Sequence, residues 1–296
     1  MKIVSLSEAE PRTRRVAVGT FDGLHLGHRE VIRGCDTVLT FNPHPVSVLS
    51  SSHVPPLLTT MERKSELIAS VGVEELVVIE FDAQFAARSP QDFIDNVLVG
   101  TLGAEHVNVG ENFRFGARAQ GDTALLEADE RFTTTVVPML EVDGEVVSSS
   151  HIRGLILGGA VEYADALLGA PFVIDGPVLH GEKRGRTLGF PTANLEPTNG
   201  YCTPGHGVYA CRVRVESGSW YAAAANIGVR PMFETGLGEL IEPYLIDFEG
   251  DLYGQQIRVE FLKRLRGEQR FDGVDSLIEQ MNRDVEDARA IVAARG

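Results

Sequence analysis

The pattern of apolar residues changes near residue 170, and this divides the chain into two halves of different architecture. Before it, short β-branched runs of buried-strand length fall at 16–19, 37–41, 76–81 and, more weakly, 107–110. Helical segments lie between them. Thr59 followed by Glu62 reads as a capping box opening a helix over 61–71, closed at Gly72. Ser89 followed by Pro90 opens another, which runs to Leu102. Strands alternating with helices of this length predict an α/β domain with a mainly parallel sheet covered on both faces. After residue 170 the runs are strand-like and separated by Gly and Pro, at 172–179, 207–215, 220–227, 240–248 and 256–261. They predict an all-β domain, an antiparallel sheet or barrel. A terminal helix places Val274, Leu277, Ile278, Met281, Val285, Ala288 and Val292 on one face. A helical stretch meets Gly169 and then Pro171, so the domains are expected at 1–169 and 170–296.

A length of 296 residues, 43% of them hydrophobic, gives each half enough material for a core. No apolar run reaches membrane-spanning length, and residues 1–19 lack the apolar stretch of a signal peptide, so neither a membrane span nor a leader is expected. Cys35, Cys202 and Cys211 are odd in number and far apart. They read as reduced thiols in a cytoplasmic protein. The net charge of −15 argues against a nucleic-acid partner. It leaves small anionic substrates open, because local charge can oppose the global sign. Homo-oligomerisation is left open by the sequence.

The string GTFDGLHLGH, residues 19–28, follows a strand and leads into a helix. Such a turn offers backbone N–H groups and a helix dipole to phosphate, through Gly19, Thr20, Phe21, Asp22 and Gly23. His25 and His28 are three apart and share the first helical turn. Two imidazoles there suit an α-phosphate that gains charge during in-line attack. In VSSSHIR, residues 147–153, Ser149 or Ser150 can cap a helix and donate to phosphate, and Arg153 can grip β- and γ-phosphates as a fork. TFNPHP (40–45), with Phe41 and His44, and GENFRFG (110–116), with Asn112, combine aromatics with short polar groups suited to a planar ring. GEKRGRTLGFPTAN (181–194) places Gly181, Gly185 and Gly189 four apart, with Lys183 among further basic residues, as a phosphate loop. Thr192 and Asn194 alternate along an extended segment and present two neutral oxygens suited to Mg²⁺ and ATP.

Together these strings resemble the bacterial bifunctional riboflavin kinase/FMN adenylyltransferase family. The pair HLGH and SSHIR is similar to the HxGH and SSTxIR signatures of the nucleotidyltransferase superfamily, and GFPTAN is a riboflavin kinase signature. The resemblance implies a Rossmann-like nucleotidyltransferase domain followed by a Greek-key barrel. It also implies riboflavin phosphorylation to FMN, adenylylation of FMN to FAD, ATP as co-substrate and Mg²⁺. It matches His25, His28 and Arg153 to catalytic positions, and Asn112 to a flavin-side polar position. Glu242, in IEPYLIDF (241–248), occupies the place of the base for the ribityl 5′-hydroxyl. The segment after His28 is shorter than is usual in the family, and Pro243 predicts a strand edge or bulge beside Glu242. The alternatives are one active half, with the kinase retained, or a flavin-binding protein that turns over no ATP.

Overall fold

The computed structural model describes residues 1–50, 54–179, 190–232 and 236–295. They form two compact units, Met1–Ser149 and Ser150–Gly296. In the first, strands β1 (Lys2–Ser5), β2 (Arg14–Val18), β3 (Thr37–Asn42), β4 (Glu75–Glu80), β5 (Ala104–Gly110) and β6 (Thr133–Val137) form one sheet in the order β1-β4-β3-β2-β5-β6. Every pairing is parallel. From β2 the chain steps outward through β3 and β4, then returns to the other flank of β2 as β5 and β6. The crevice between β2 and β5 is therefore the topological switch point, where open α/β sheets receive ligands beyond the strands' C-terminal ends. Most apolar residues of β2, β3 and β4 are buried, Val16, Leu39 and Val77 fully, as expected of strands covered on both faces.

The helix Met61–Ser70 starts at the expected residue but is capped by the neighbouring threonine. Thr60 is its cap, accepting from Arg63 N. Thr59 is used elsewhere: its hydroxyl accepts from Gly23 N and bonds Asp22. Ser89 caps the next helix as expected, with Pro90 at its first position. That helix widens into a π-helix over Phe93–Thr101, where the Thr101 hydroxyl donates to Asn96 O at 2.7 Å.

Under the opposite, N-terminal ends of the strands lies a buried ion pair. Arg14, 1% exposed, donates from Nε to Glu75 at 2.8 Å and from Nη1 to Leu102 O at 2.7 Å. Burial pushes the Glu75 carboxyl up, but Arg14 and Arg12 outweigh it and hold it below its ordinary value. Arg14→Ala should destabilise the first unit by about 3–5 kcal/mol, because it strands Glu75 without its partner. Urea unfolding followed in that unit would measure this.

The second unit opens inside the helix Ser149–Leu157, after its first residue, and continues with the helix Val161–Leu168, packed on β9 (Phe172–Leu179) and β14 (Gln256–Arg266). Gly169 ends that helix in a left-handed conformation (φ 69°). The compact units thus divide some twenty residues before the Gly–Pro break. A Gly–Pro stop ends a helix without deciding which core the helix serves. With β7 (Glu141–Val142) and β8 (Glu145–Val146) forming a small hairpin in the first unit, the barrel strands are β9, β10 (Asn194–Leu195), β11 (Gly207–Arg214), β12 (Trp220–Met232), β13 (Gly236–Leu245) and β14. They close in the order β10-β13-β12-β11-β14-β9, and every pairing is antiparallel. Gly176 of β9 is required by a close approach, since a Cβ there would meet Leu195 Cδ1 at 2.6 Å. The terminal helix Val274–Ala294 covers one outer side of the barrel, with Ala288 against Ala210, Ala224 and Ile246.

Pro243 corrects an expectation. It is neither on an edge nor at a bulge: β13 runs between β10 and β12, and its register with β12 is unbroken from Ala223↔Leu245 to Met232↔Gly236. The Pro243 carbonyl accepts from Ala193 N at 3.0 Å. A residue's N–H and C=O leave a strand on the same side, so the missing donor also faces Ala193. That is the end of the two-residue β10, where only one ladder bond is lost.

Candidate active sites

The first site is built on the turn after β2. Phe21, Gly23 and Leu24 take positive φ values of 50°, 86° and 41°. The turn is fixed by inward bonds. The Asp22 carboxylate, 2% exposed, accepts from Leu58 N and Thr59 N. Ser149 Oγ donates to Asp22 O at 2.9 Å, and Thr40 Oγ1 and Lys64 Nζ both donate to Thr20 O. Asp22 thus uses its side chain to shape the turn.

His25 caps the helix Leu26–Ile32, its Nδ1 accepting from His28 N at 3.2 Å. The two imidazoles stack with centroids 3.6 Å apart and planes 16° from parallel. Phe21 meets His28 edge-on. Gly27 lies under the His25 ring, where a Cβ would come within 3.3 Å of it. With Nδ1 as acceptor, neutral His25 carries its proton on Nε2 and presents that N–H as a donor. Burial pushes the His25 pKa down to about 4. Burial also lowers that of His28, helped by His25 and Lys64, and His28 Nδ1 is buried with no hydrogen-bond partner among the described residues. The pair therefore acts at neutral pH as hydrogen-bonding imidazoles, not as two cations.

This has a pH consequence. Histidines with depressed folded pKa values bind protons more readily when unfolded, so stability is lost as pH falls. The first unit should hold its stability above pH 6.5 and lose it progressively toward pH 4. Urea midpoints across that range would show this, and His25→Gln should flatten the slope.

The other first-half residues leave neighbouring strand ends. Asn112 follows β5 at the switch point, exposed, with Nδ2 donating to Met139 Sδ at 3.2 Å. His44 follows β3 and caps the short helix Pro45–Leu49 through Nδ1. Phe41 is buried and packs edge-on against Phe81, in a cluster that continues through Phe85 and Phe93 to Phe115. It forms core wall more than open stacking surface. Ser149 begins its helix instead of capping it, Ser150 beside it is exposed, and Arg153 lies one turn further along.

The second site lies on the barrel's outer face. Leu195 faces Ile241, and Ala193 N bonds Pro243 O, so the register sets Asn194 across from Glu242. On the other side Glu242 faces Asn226, whose Nδ2 donates to Glu242 Oε2 at 3.3 Å. Asn194, Glu242 and Asn226 thus form one row across three strands, sharing a face. Asn194 is 7% exposed. Thr192, two residues before it, belongs to the same face. Among the described residues no cluster of His, Cys, Asp and Glu could hold a metal alone. The hydroxyl and amide oxygens of Thr192 and Asn194, beside one carboxylate, still fit a hard divalent cation that takes its other ligands from phosphates and water. Gly181, Lys183, Gly185 and Gly189 lie outside the described residues. Asn226 and Lys64 are the functional candidates that the motifs leave unassigned. Asn226 opens the string NIGVRPMF, residues 226–233, and Lys64 sits in the apolar stripe of its helix, four residues before Ile68.

A doubly wound sheet with paired imidazoles at its switch point, followed by a closed barrel with a Thr/Asn/Glu face, defines a nucleotidyltransferase domain joined to a phosphotransferase domain. Family models agree with both parts: FAD synthetase matches residues 7–151 and riboflavin kinase matches residues 168–292. Curated bifunctional riboflavin kinase/FMN adenylyltransferases are similar over nearly the whole chain. That of Listeria monocytogenes is 40% identical, covering 94% of this chain and 92% of its own. That of Escherichia coli K12 is 36% identical, covering 97% and 95%. A crystal structure described as a macrolide-efflux protein from Streptococcus pneumoniae superposes with a TM-score of 0.89 at 31% identity, covering 98% of this chain and 99% of that one. Among the described residues no helix is long and apolar enough to cross a membrane.

The chain belongs to the bifunctional riboflavin kinase/FMN adenylyltransferase family. It is an enzyme of FAD biosynthesis, with an ATP-dependent kinase domain and a nucleotidyltransferase domain.

Proposed function

We propose that residues 1–169 join FMN to AMP and residues 170–296 phosphorylate riboflavin. The observation that carries this reading is the stacked His25–His28 pair at the switch point of the first unit. In adenylyl transfer an FMN phosphate oxygen attacks the ATP α-phosphorus and pyrophosphate leaves. His25 and His28 donate hydrogen bonds to the α-phosphate oxygens as charge builds on them. The 19–23 turn seats the phosphates. Ser149 supports that seat through Asp22 O, while Ser150 and Arg153 supply donors to the triphosphate. Asn112 and His44 bond the flavin edge, and Phe41 backs it.

In the barrel, Glu242 accepts the proton of the ribityl 5′-hydroxyl as that oxygen attacks the ATP γ-phosphorus, and ADP leaves. Asn226 holds the Glu242 carboxylate in place. Thr192 and Asn194 would hold Mg²⁺, which would supply neutralisation of phosphate charge. The loop with Gly181, Lys183, Gly185 and Gly189 takes the ATP phosphates. Three free, buried cysteines fit a reducing compartment, the cytoplasm. The test supplies riboflavin, ATP and Mg²⁺ and separates the flavins over time. FMN should rise first and FAD follow. FMN that accumulates without FAD would contradict the two-step reading.

A further inference from the structure

The helix Met61–Ser70 points a lysine inward. Lys64 is 5% exposed, and its Nζ donates to Thr20 O at 2.8 Å. Among the described residues that carbonyl is its one hydrogen-bond acceptor. An ammonium has three N–H donors, and a buried cation left this far from full pairing is costly. The hydrogen bond alone does not account for it, because Thr40 Oγ1 already donates to the same carbonyl at 3.2 Å. The nearby Asp22 carboxylate is occupied by the backbone of Leu58 and Thr59. Burial lowers the Lys64 pKa while Asp22 opposes the shift. What Lys64 adds that an apolar residue could not is positive charge directly beneath the turn that leads into His25 and His28.

We propose that Lys64 is a positioning residue for adenylyl transfer: its buried positive charge holds the ATP triphosphate on the Gly19–His28 turn. The inference rests on the reading that this turn receives ATP. It explains how a chain of net charge −15 attracts a tetra-anionic substrate at a turn with no exposed basic side chain of its own.

Two variants separate charge from hydrogen bonding. Lys64→Gln keeps a donor for Thr20 O and loses the charge, and Lys64→Met loses both. In FAD formation from supplied FMN, both should raise the KM for ATP about ten-fold or more with a smaller change in kcat. FMN formation by the same proteins should stay unchanged. A Lys64→Gln protein with wild-type KM would overturn the proposal. If either variant fails to fold, the native protein still decides. The chain has four lysines, Lys2, Lys64, Lys183 and Lys263, so a ¹⁵N-lysine spectrum can be assigned by elimination through Gln variants of the other three. The Lys64 Nζ resonance should move on titration with α,β-methylene-ATP, and a resonance that stays fixed while the nucleotide binds would overturn the proposal. The underlying reading fails separately. If His28→Ala leaves FAD synthesis intact, the turn is not the ATP seat. If His28→Ala abolishes it while Lys64→Gln does not affect it, the lysine inference alone falls.

Discussion

His28→Ala should abolish FAD synthesis and leave riboflavin phosphorylation at its wild-type rate. The residue is the third of its helix, its ring lies flat on His25, and Phe21 meets it edge-on. On the proposed mechanism, removing it deletes one donor to the α-phosphate and also the ring that stacks on His25. Loss of a single preorganised donor to a developing oxyanion costs about 10²–10³ in kcat. Disturbing the stack should place this variant at the upper end. The measurement is FAD formed from supplied FMN and ATP, with FMN formed from riboflavin as the internal control. FAD formation within a few-fold of wild type would remove the imidazole pair from the mechanism.

Asn194→Ala should do the reverse. Asn194 is nearly buried, opposite Glu242 and on the same face as Thr192. In the proposed site its amide oxygen is half of the neutral pair offered to a divalent cation. Phosphoryl transfer relies mainly on positioning and charge neutralisation, so loss of this ligand should lower riboflavin phosphorylation by about 10²-fold or more. Adenylylation of supplied FMN should be unaffected. Glu242→Gln is the gentler companion, because base removal contributes less than positioning.

Much of this was legible in the residues. The β-branched runs marked β2, β3 and β4 because these strands are buried on both faces and read as continuous apolar segments. Strands β1 and β6 escaped because edge strands with exposed faces, KIVS and TTTVV, carry little signal. β10 escaped because two residues have no periodicity. The HLGH turn was legible because a local backbone motif carries its own geometry. The buried charges were not. Arg14 and Lys64 look like ordinary surface residues until the sheet and the turn close over them. The row Asn194–Glu242–Asn226 also required the fold, since only barrel register brings three distant strands side by side. Thr59 shows a tertiary demand overriding a local one. It stands in a good capping position, but Asp22 and Gly23 recruit it and Thr60 caps instead.

The central claim is that residues 1–169 and residues 170–296 each carry one complete and independent step. The most direct test mixes the His28→Ala and Asn194→Ala proteins and supplies riboflavin and ATP. Neither protein alone should form FAD. The first should stop at FMN, the second should leave riboflavin unchanged, and the mixture should produce FAD as FMN released by one is adenylylated by the other. A mixture that accumulates FMN and forms no FAD, while the Asn194→Ala protein still adenylylates supplied FMN, would contradict independent sites. So would a folded single variant that has lost both activities.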